Sequence, residues 1–218
     1  LKHNEILPDG QKLSLSVFGR TFNVILPLIG SFQSMNVLCA LAIVVASGVD
    51  PEKAVRTLSK LHGVKGRMEL AARTSHGSRI FVDYAHTPDA IKNVLNSLRS
   101  HTSKKLKIVF GCGGNRDHGK REQMGKIASE LADEVIITDD NPRYENAAKI
   151  RAQIKSASPG AIEIANRMDA ITTTIKSLSS GDLLIIAGKG HEQGQIISGT
   201  ELPFDDVEAV QTAVRCSL

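Results

Sequence analysis

The sequence predicts an α/β fold: a mostly parallel sheet with helices on both of its faces. Two observations carry this. From about residue 80 onward, short apolar runs alternate with longer stretches in which apolar residues recur every three to four positions, the pattern of strands alternating with amphipathic helices. Each apolar run also ends in a polar cluster rich in glycine or proline, as happens where parallel strands stop and right-handed crossovers begin.

Taken in order, the first twenty-odd residues read as two short strands around the turn-like Pro8-Asp9-Gly10 and the Gly19-Arg20 pair. A helix follows from about Ser31 to Ser47, apolar on most faces and therefore expected to be buried. A second helix opens at Asp50-Pro51, a cap followed by proline in the first helical position, and runs to Leu61. The two-glycine stretch His62 to Arg67 reads as a hinge. Beyond it come strand Ile80 to Tyr84, a helix capped at Thr87-Pro88, strand Leu106 to Phe110, and a helix with Met124, Ile127, Ala128 and Leu131 on one face. Then follow strand Val135 to Thr138, helix Glu145 to Ser156, strand Ile162 to Ala165 and a helix carrying Ile171, Ile175 and Leu178. Strand Leu183 to Ala187, a hairpin and a helix from about Asp205 complete the reading.

The chain has 218 residues, 41% of them hydrophobic, and a formal charge of +4. Its basic residues are scattered except for Arg116, Lys120 and Arg121, which suits a local anion site and argues against a nucleic-acid-binding face. The longest apolar run, Val37 to Ala46, is about half a membrane span. Three cysteines, Cys39, Cys112 and Cys216, have neither metal-ligand spacing nor a disulfide framework, which fits a reducing cytoplasm. The chain opens at Leu1 without methionine and is expected to be a fragment.

Four polar clusters follow four apolar strands, where a parallel sheet places ligands. In Gly111 to Arg121, Arg116 occupies the third glycine of a dinucleotide fingerprint. Gly114, Gly119 and Lys120 have phosphate-loop spacing, but Arg121 stands where a serine or threonine should hold magnesium. What remains is a loop of backbone N–H groups and two or three cationic side chains, suited to an anion; the alternative is a turn with solvated charges. In Asp139 to Arg143, Pro142 fixes the backbone so that Asn141 and Arg143 stand at a set separation, and an arginine fork suits a carboxylate. The alternative is a turn in which Arg143 pairs with an acidic neighbour. Gly188-Lys189-Gly190-His191-Glu192 allows close backbone approach, and Glu192 could meet an ammonium. Asp83 could accept from a ribose hydroxyl or merely cap local N–H groups, and His86 could stack on a base.

Together, VKGRME at 64–69, VDYAHTPDA at 82–90, FGCGGNRDHGKR at 110–121, DNPR at 140–143 and AGKGHE at 187–192 resemble, in order and spacing, the Mur ligases of peptidoglycan synthesis. DNPR is similar to the branch that selects diaminopimelate over lysine. Leu28 to Ala42 also resembles the last segment of that family's central domain, so the likeness covers nearly the whole chain. It departs at Gln33, where asparagine is usual, and at Lys65, where proline is usual.

The resemblance implies a Rossmann-like domain preceded by the tail of a central ATPase domain, with residues 1–64 in the tail and 65–218 in the amino-acid-binding domain. It implies that Arg67, Asp83, Tyr84 and His86 meet ATP, and that Arg116, Asn141, Pro142, Arg143, Gly188 and Glu192 hold meso-diaminopimelate. The cofactors would be ATP and Mg²⁺, the metal held mainly by a part of the central domain not in this sequence. ATP would activate the glutamate carboxylate of a UDP-N-acetylmuramoyl-dipeptide as an acyl phosphate for attack by the amine. A cytoplasmic monomer is expected, with no nucleic-acid or membrane partner. The family's ATP-binding phosphate loop and magnesium-binding lysine are not found in these 218 residues, so this chain alone is expected to be inactive. A lysine-adding member, a folylpolyglutamate synthase-like ligase and a non-catalytic binding module are the alternatives.

Overall fold

In the computed structural model, which describes residues 1–216, the chain forms two compact units: Leu1–Gly63 with Ser97–His101, and Val64–Asn96 with the chain from Thr102 onward. The first unit contains three strands rather than the expected two: β1 (His3–Leu7), β2 (Gly10–Val17) and β3 (Arg20–Leu26), paired as an antiparallel meander. Leu13 and Leu15 of β2 point inward with alternating period, against Leu26, Val37 and Leu41. Gln11 shares their side of the strand and is fully buried; its amide donates to the Leu28 and Gly30 carbonyls, which satisfies it there.

Helix α1 (Phe32–Ala46) corrects the expectation of burial. Only Ser34, Val37 and Leu41 are buried, and Met35, Ile43 and Val44 are exposed, Ile43 at 68%. An apolar circumference shows what a helix tolerates, and the described residues cover one stripe of it. Helix α2 (Pro51–Thr57) begins as expected, the Asp50 side chain accepting from the Lys53 amide, and gives way to a 3₁₀ turn at Leu58–Lys60.

The second unit is built on six strands: β4 (Glu69–Arg73), β5 (Arg79–Asp83), β6 (Leu106–Phe110), β7 (Glu134–Ile137), β8 (Ile162–Glu163) and β9 (Leu183–Ala187). Their order is β4-β5-β9-β6-β7-β8, with β4 antiparallel to β5 and every other pair parallel. The edge strand β4 escapes a sequence reading because only Ala71 of its five residues is buried. Strand β8 is shorter than predicted, although the Ile164 and Asp139 amides continue the ladder to Ile137 and Ala165.

Helices α3 (Pro88–Arg99), α4 (Gly119–Leu131) and α5 (Ala147–Ser156) follow β5, β6 and β7. Helix α6 (Arg167–Lys176) follows β8, and α7 (Asp206–Arg215) follows the hairpin β10 (Gly194–Ile197) and β11 (Thr200–Pro203). Ile80, Val82, Val109, Ile136, Leu184 and Ile186 face α6 and α7, packing on Ile171, Ile175 and Val210. Phe81, Ile108, Phe110 and Ile185, of opposite parity and equally buried, belong to the other face. The inner strands are therefore apolar on both sides, as parallel strands between helix layers must be. No helix is long and apolar enough to cross a membrane among the described residues.

A buried ion pair fastens this layering. Arg167 Nε and Nη2 meet the two carboxylate oxygens of Asp206 at 2.7 and 2.8 Å, both side chains fully buried, and Nη2 also donates to the Ala187 carbonyl. The starts of α6 and α7 are thereby joined to the end of the central strand β9. Asp206→Ala is expected to lower stability by about 3–5 kcal/mol, the range for stranding half of a buried pair. Arg167→Met with Asp206→Leu should recover most of that loss, as read by urea denaturation of the three proteins.

Candidate functional site

Strands β5, β9, β6 and β7 are neighbours, so the loops leaving their carboxyl ends lie side by side at one edge of the sheet. They enclose a cavity of about 400 Å³ whose lining includes Tyr84 and His86 from the first loop and Arg116 and Lys120 from the third. Asp140, Asn141 and Arg143 come from the fourth, and Gly188 and Glu192 from the second.

The loop after β6 lies tight against the loop after β7. A Cβ on Gly114 would stand 2.0 Å from the Pro142 carbonyl oxygen, so only glycine fits there; the Gly114 amide donates to the Asn141 carbonyl at 2.9 Å. The loop's cations divide by helix phase. Arg121 lies on the same face of α4 as Met124, Gly125 and Ala128 and is buried with them. It donates to Gln153, the Gly113 carbonyl and Glu145. The expectation that Arg121 belongs to an anion site is thus corrected: its charge is consumed beneath the loop. Arg116 is exposed, and Lys120 Nζ reaches the His86 carbonyl at 2.9 Å.

Asn141 is buried and fully engaged. Its Nδ2 donates to Glu192 Oε2 at 3.0 Å, and its Oδ1 accepts from Lys189 Nζ at 3.0 Å and the Ile196 amide at 2.9 Å. Arg143 has a left-handed backbone, φ +53°, and donates through Nη1 to the Gly114 carbonyl at 2.9 Å. No carboxylate pairs with it among the described residues, which removes the alternative of an acidic neighbour. Gly188, at φ +117°, brings its backbone against Asp140; a Cβ would stand 2.6 Å from Oδ2.

The residues expected to meet ATP separate into two groups. Tyr84 and His86 line the cavity; Arg67 sits 4.5 Å above the Tyr84 ring, and His86 and His191 have ring centroids 4.5 and 5.5 Å from it. Asp83 is buried behind them. Its Oδ2 accepts from the Met68 amide and its Oδ1 from the Ala85 amide, each at 2.7 Å, and burial pushes its carboxyl above the usual range. Asp83 thereby ties the 64–69 segment to the end of β5.

Sequence reading missed Lys189 and Asp140 as parts of this site. The signal for Lys189 was its place between two glycines directly after a fully apolar strand, where a charge enters the interior and must find partners. Cys112 also lines the cavity, but burial pushes its thiol up to about 12, so it is no nucleophile at neutral pH.

Residues 66–190 match the family described as Mur ligase, glutamate ligase domain. A UDP-N-acetylmuramoyl-L-alanyl-D-glutamate–2,6-diaminopimelate ligase of Chelativorans sp. is 50% identical over 94% of this chain and 42% of its own length. The protein of the same name from Zymomonas mobilis is 48% identical over 98% of this chain and 45% of its own. A solved structure with that name superposes with a TM-score of 0.76 at 39% identity, covering 98% of this chain and 44% of that one. A UDP-N-acetylmuramate-alanine ligase of Thermotoga maritima, at 20% identity and TM-score 0.71, shares the fold. The chain thus spans less than half the length of the curated relatives it matches.

Glu145 makes the structural role of the loop's base measurable. The Arg121 guanidinium, followed by the Asn115 amide, holds its carboxyl down at about 2. A depressed carboxylate contributes stability that is complete above its ordinary value and is lost as pH falls through the depressed one. Glu145→Gln should cost about 1.5–3 kcal/mol near neutrality, the worth of hydrogen bonds to a charged group. Urea denaturation of both proteins should show that difference shrinking between pH 5 and pH 2.

Proposed function

Because the chain belongs to the Mur ligase family, we propose that it forms the part of a diaminopimelate-adding ligase that receives the incoming amino acid and closes over ATP. The observation that carries this reading is that Arg116, Asn141, Arg143 and Glu192 line one cavity together. Diaminopimelate has two amino-acid ends, and delivering one amine requires gripping the other end. Arg143 spends only Nη1 on protein carbonyls; the rest of its fork, with Arg116, suits the distal carboxylate. Glu192, beside the Gly188 backbone, suits the ammonium on the same carbon. Pro142 holds Asn141 and Arg143 apart and keeps the loop from rearranging around the ligand.

So gripped, the other amine, neutral, can stand about 3–3.5 Å from the activated carbonyl carbon, which is the positioning contribution to rate. ATP would phosphorylate the glutamate carboxylate of the dipeptide substrate with release of ADP, and attack of the amine on that acyl phosphate would expel inorganic phosphate as the amide forms. The Tyr84, His86 and His191 rings with Arg67 offer a stacking surface and a cation to a nucleotide, and Asp83 serves by fixing the segment that carries Arg67. Mg²⁺ would be held mainly by residues of a part of the central domain that is not in this sequence. The other substrate would be a UDP-N-acetylmuramoyl-dipeptide, and the enzyme a cytoplasmic monomer. Residues 1–64 would be the end of the central domain and 65–218 the amino-acid-binding domain.

The lysine-adding alternative differs by one carboxylate, and Arg143→Ala tests it. In a protein joining this chain to the other half of its relatives' length, kcat/KM for diaminopimelate should fall by about 2–5 kcal/mol, as for loss of a buried charge pair. The value for lysine, which has no group to match the fork, should barely change. Equal losses for both amines would assign Arg143 to the fold and sink the diaminopimelate reading. This chain by itself should release no phosphate from ATP; turnover above trace in a phosphate-release assay would refute its being one part of the enzyme.

A further inference from the structure

Beneath the cavity lies a side chain to which the amine-binding reading gives no task. Lys189 is fully buried, and its Nζ donates to Asn141 Oδ1 at 3.0 Å and Glu192 Oε2 at 3.2 Å. Asn141 Nδ2 donates to the same Glu192 oxygen at 3.0 Å, so the three side chains close a triangle. Removing an ammonium from water costs several kcal/mol unless partners offset it, and lysine is almost never fully buried unpaired.

A counter-ion serving only the fold would be placed like Arg167, whose partners are Asp206 and a strand carbonyl. The partners of Lys189 are instead two side chains that line the cavity. Its position also decides which way the Asn141 amide faces. With Oδ1 held by the Lys189 ammonium and the Ile196 amide, Nδ2 must turn toward Glu192. Glu192 Oε2 is then occupied by two donors, while Oε1 has no protein donor among the described residues. Asp117 and Asp140 supply further carboxylates to the same lining, and Arg116, Lys120 and Arg143 supply cations. The carboxylate that Lys189 meets is that of Glu192.

We infer that Lys189 is a positioning residue for the incoming amino acid: it holds Glu192 with one carboxylate oxygen open to the cavity and so sets the affinity for the ligand's ammonium. The inference rests on the proposed function above. It acts through Glu192 and Asn141, with no contact to the reacting atoms.

The test is a double-mutant cycle in the protein that joins this chain to the other half of its relatives' length, with steady-state kinetics for each substrate. Lys189→Met should raise KM for meso-diaminopimelate roughly 10- to 100-fold, the effect of losing a charged hydrogen bond, and leave KM for ATP within about twofold. Glu192→Gln should do the same. The double variant should be no more than about twofold worse than Glu192→Gln alone, because Lys189 acts through that carboxylate. Additive losses, an equal rise in both KM values, or an unchanged or lower KM for the amine would overturn the inference.

If Lys189→Met does not fold, Lys189→Gln keeps a donor without the charge. Its crystal structure should show the Glu192 carboxylate shifted from the place it takes between Lys189 Nζ and Asn141 Nδ2, and an unmoved Glu192 counts against the inference. Should the unaltered protein show no saturable dependence on diaminopimelate, the proposed function fails, and that same crystal structure still judges Lys189.

Discussion

The site depends on how one residue, Asn141, distributes its hydrogen bonds. Its carbonyl accepts from Gly114 in the loop after β6, and its amide nitrogen donates to Glu192 in the loop after β9. Its side-chain oxygen accepts from Lys189 and from Ile196 in β10. The loops after β6 and β9 and the strand β10 are thereby fixed to a single residue. Pro142 then removes a donor and fixes φ, and Arg143 takes a left-handed conformation that turns the chain back. The Arg143 amide can therefore donate to the Ile196 carbonyl while its own carbonyl accepts from Ser198. A non-glycine residue in that region costs of order 1–3 kcal/mol, tolerated because bonds on both sides determine it.

The cations near the site show how burial assigns roles. Arg121, Arg167 and Lys189 are all within 1% of full burial, and each is spent on protein acceptors. Arg116 is exposed and Arg143 half-buried, with donors to spare. A guanidinium already neutralised in the interior holds geometry; one left partly solvated can exchange water for a ligand's carboxylate. The same guanidinium is thus spent on the fold at Arg121 and Arg167 and faces the cavity at Arg116 and Arg143.

Much of this was legible in the sequence because parallel strands between helix layers must be apolar throughout, as Leu183–Ala187 and Leu106–Phe110 are. Their polar sequels marked the cavity edge without reference to any contact. What escaped was decided by neighbours. Strand β4 leaves most of its residues at least partly exposed and so lacks a strong period. The apolar circumference of α1 did not reveal how much of it would be covered. Arg121 looked equivalent to Arg116 by spacing, although its place three residues before Met124 on one helical face already marked it as inward. The task of Asp83 was legible in part: one of its donors is the local Ala85 amide that a capping role implies, but the other, the Met68 amide, lies on a separate segment brought near only by the folded chain.

Strand β9 is the last of the parallel strands in the chain, yet it lies between β5 and β6, the first two. Until residues 183–187 emerge, β5 and β6 have no partner on the sides that will face each other across β9, and their apolar edges are open. Pairings this distant in sequence make for slow folding, because loop closure must precede the contacts that reward it. During synthesis the growing chain carries two unpaired strand edges, a state exposed to misassociation. Insertion of β9 closes both edges at once and brings in the Gly188–Glu192 loop, so completion of the sheet and completion of the cavity are a single event.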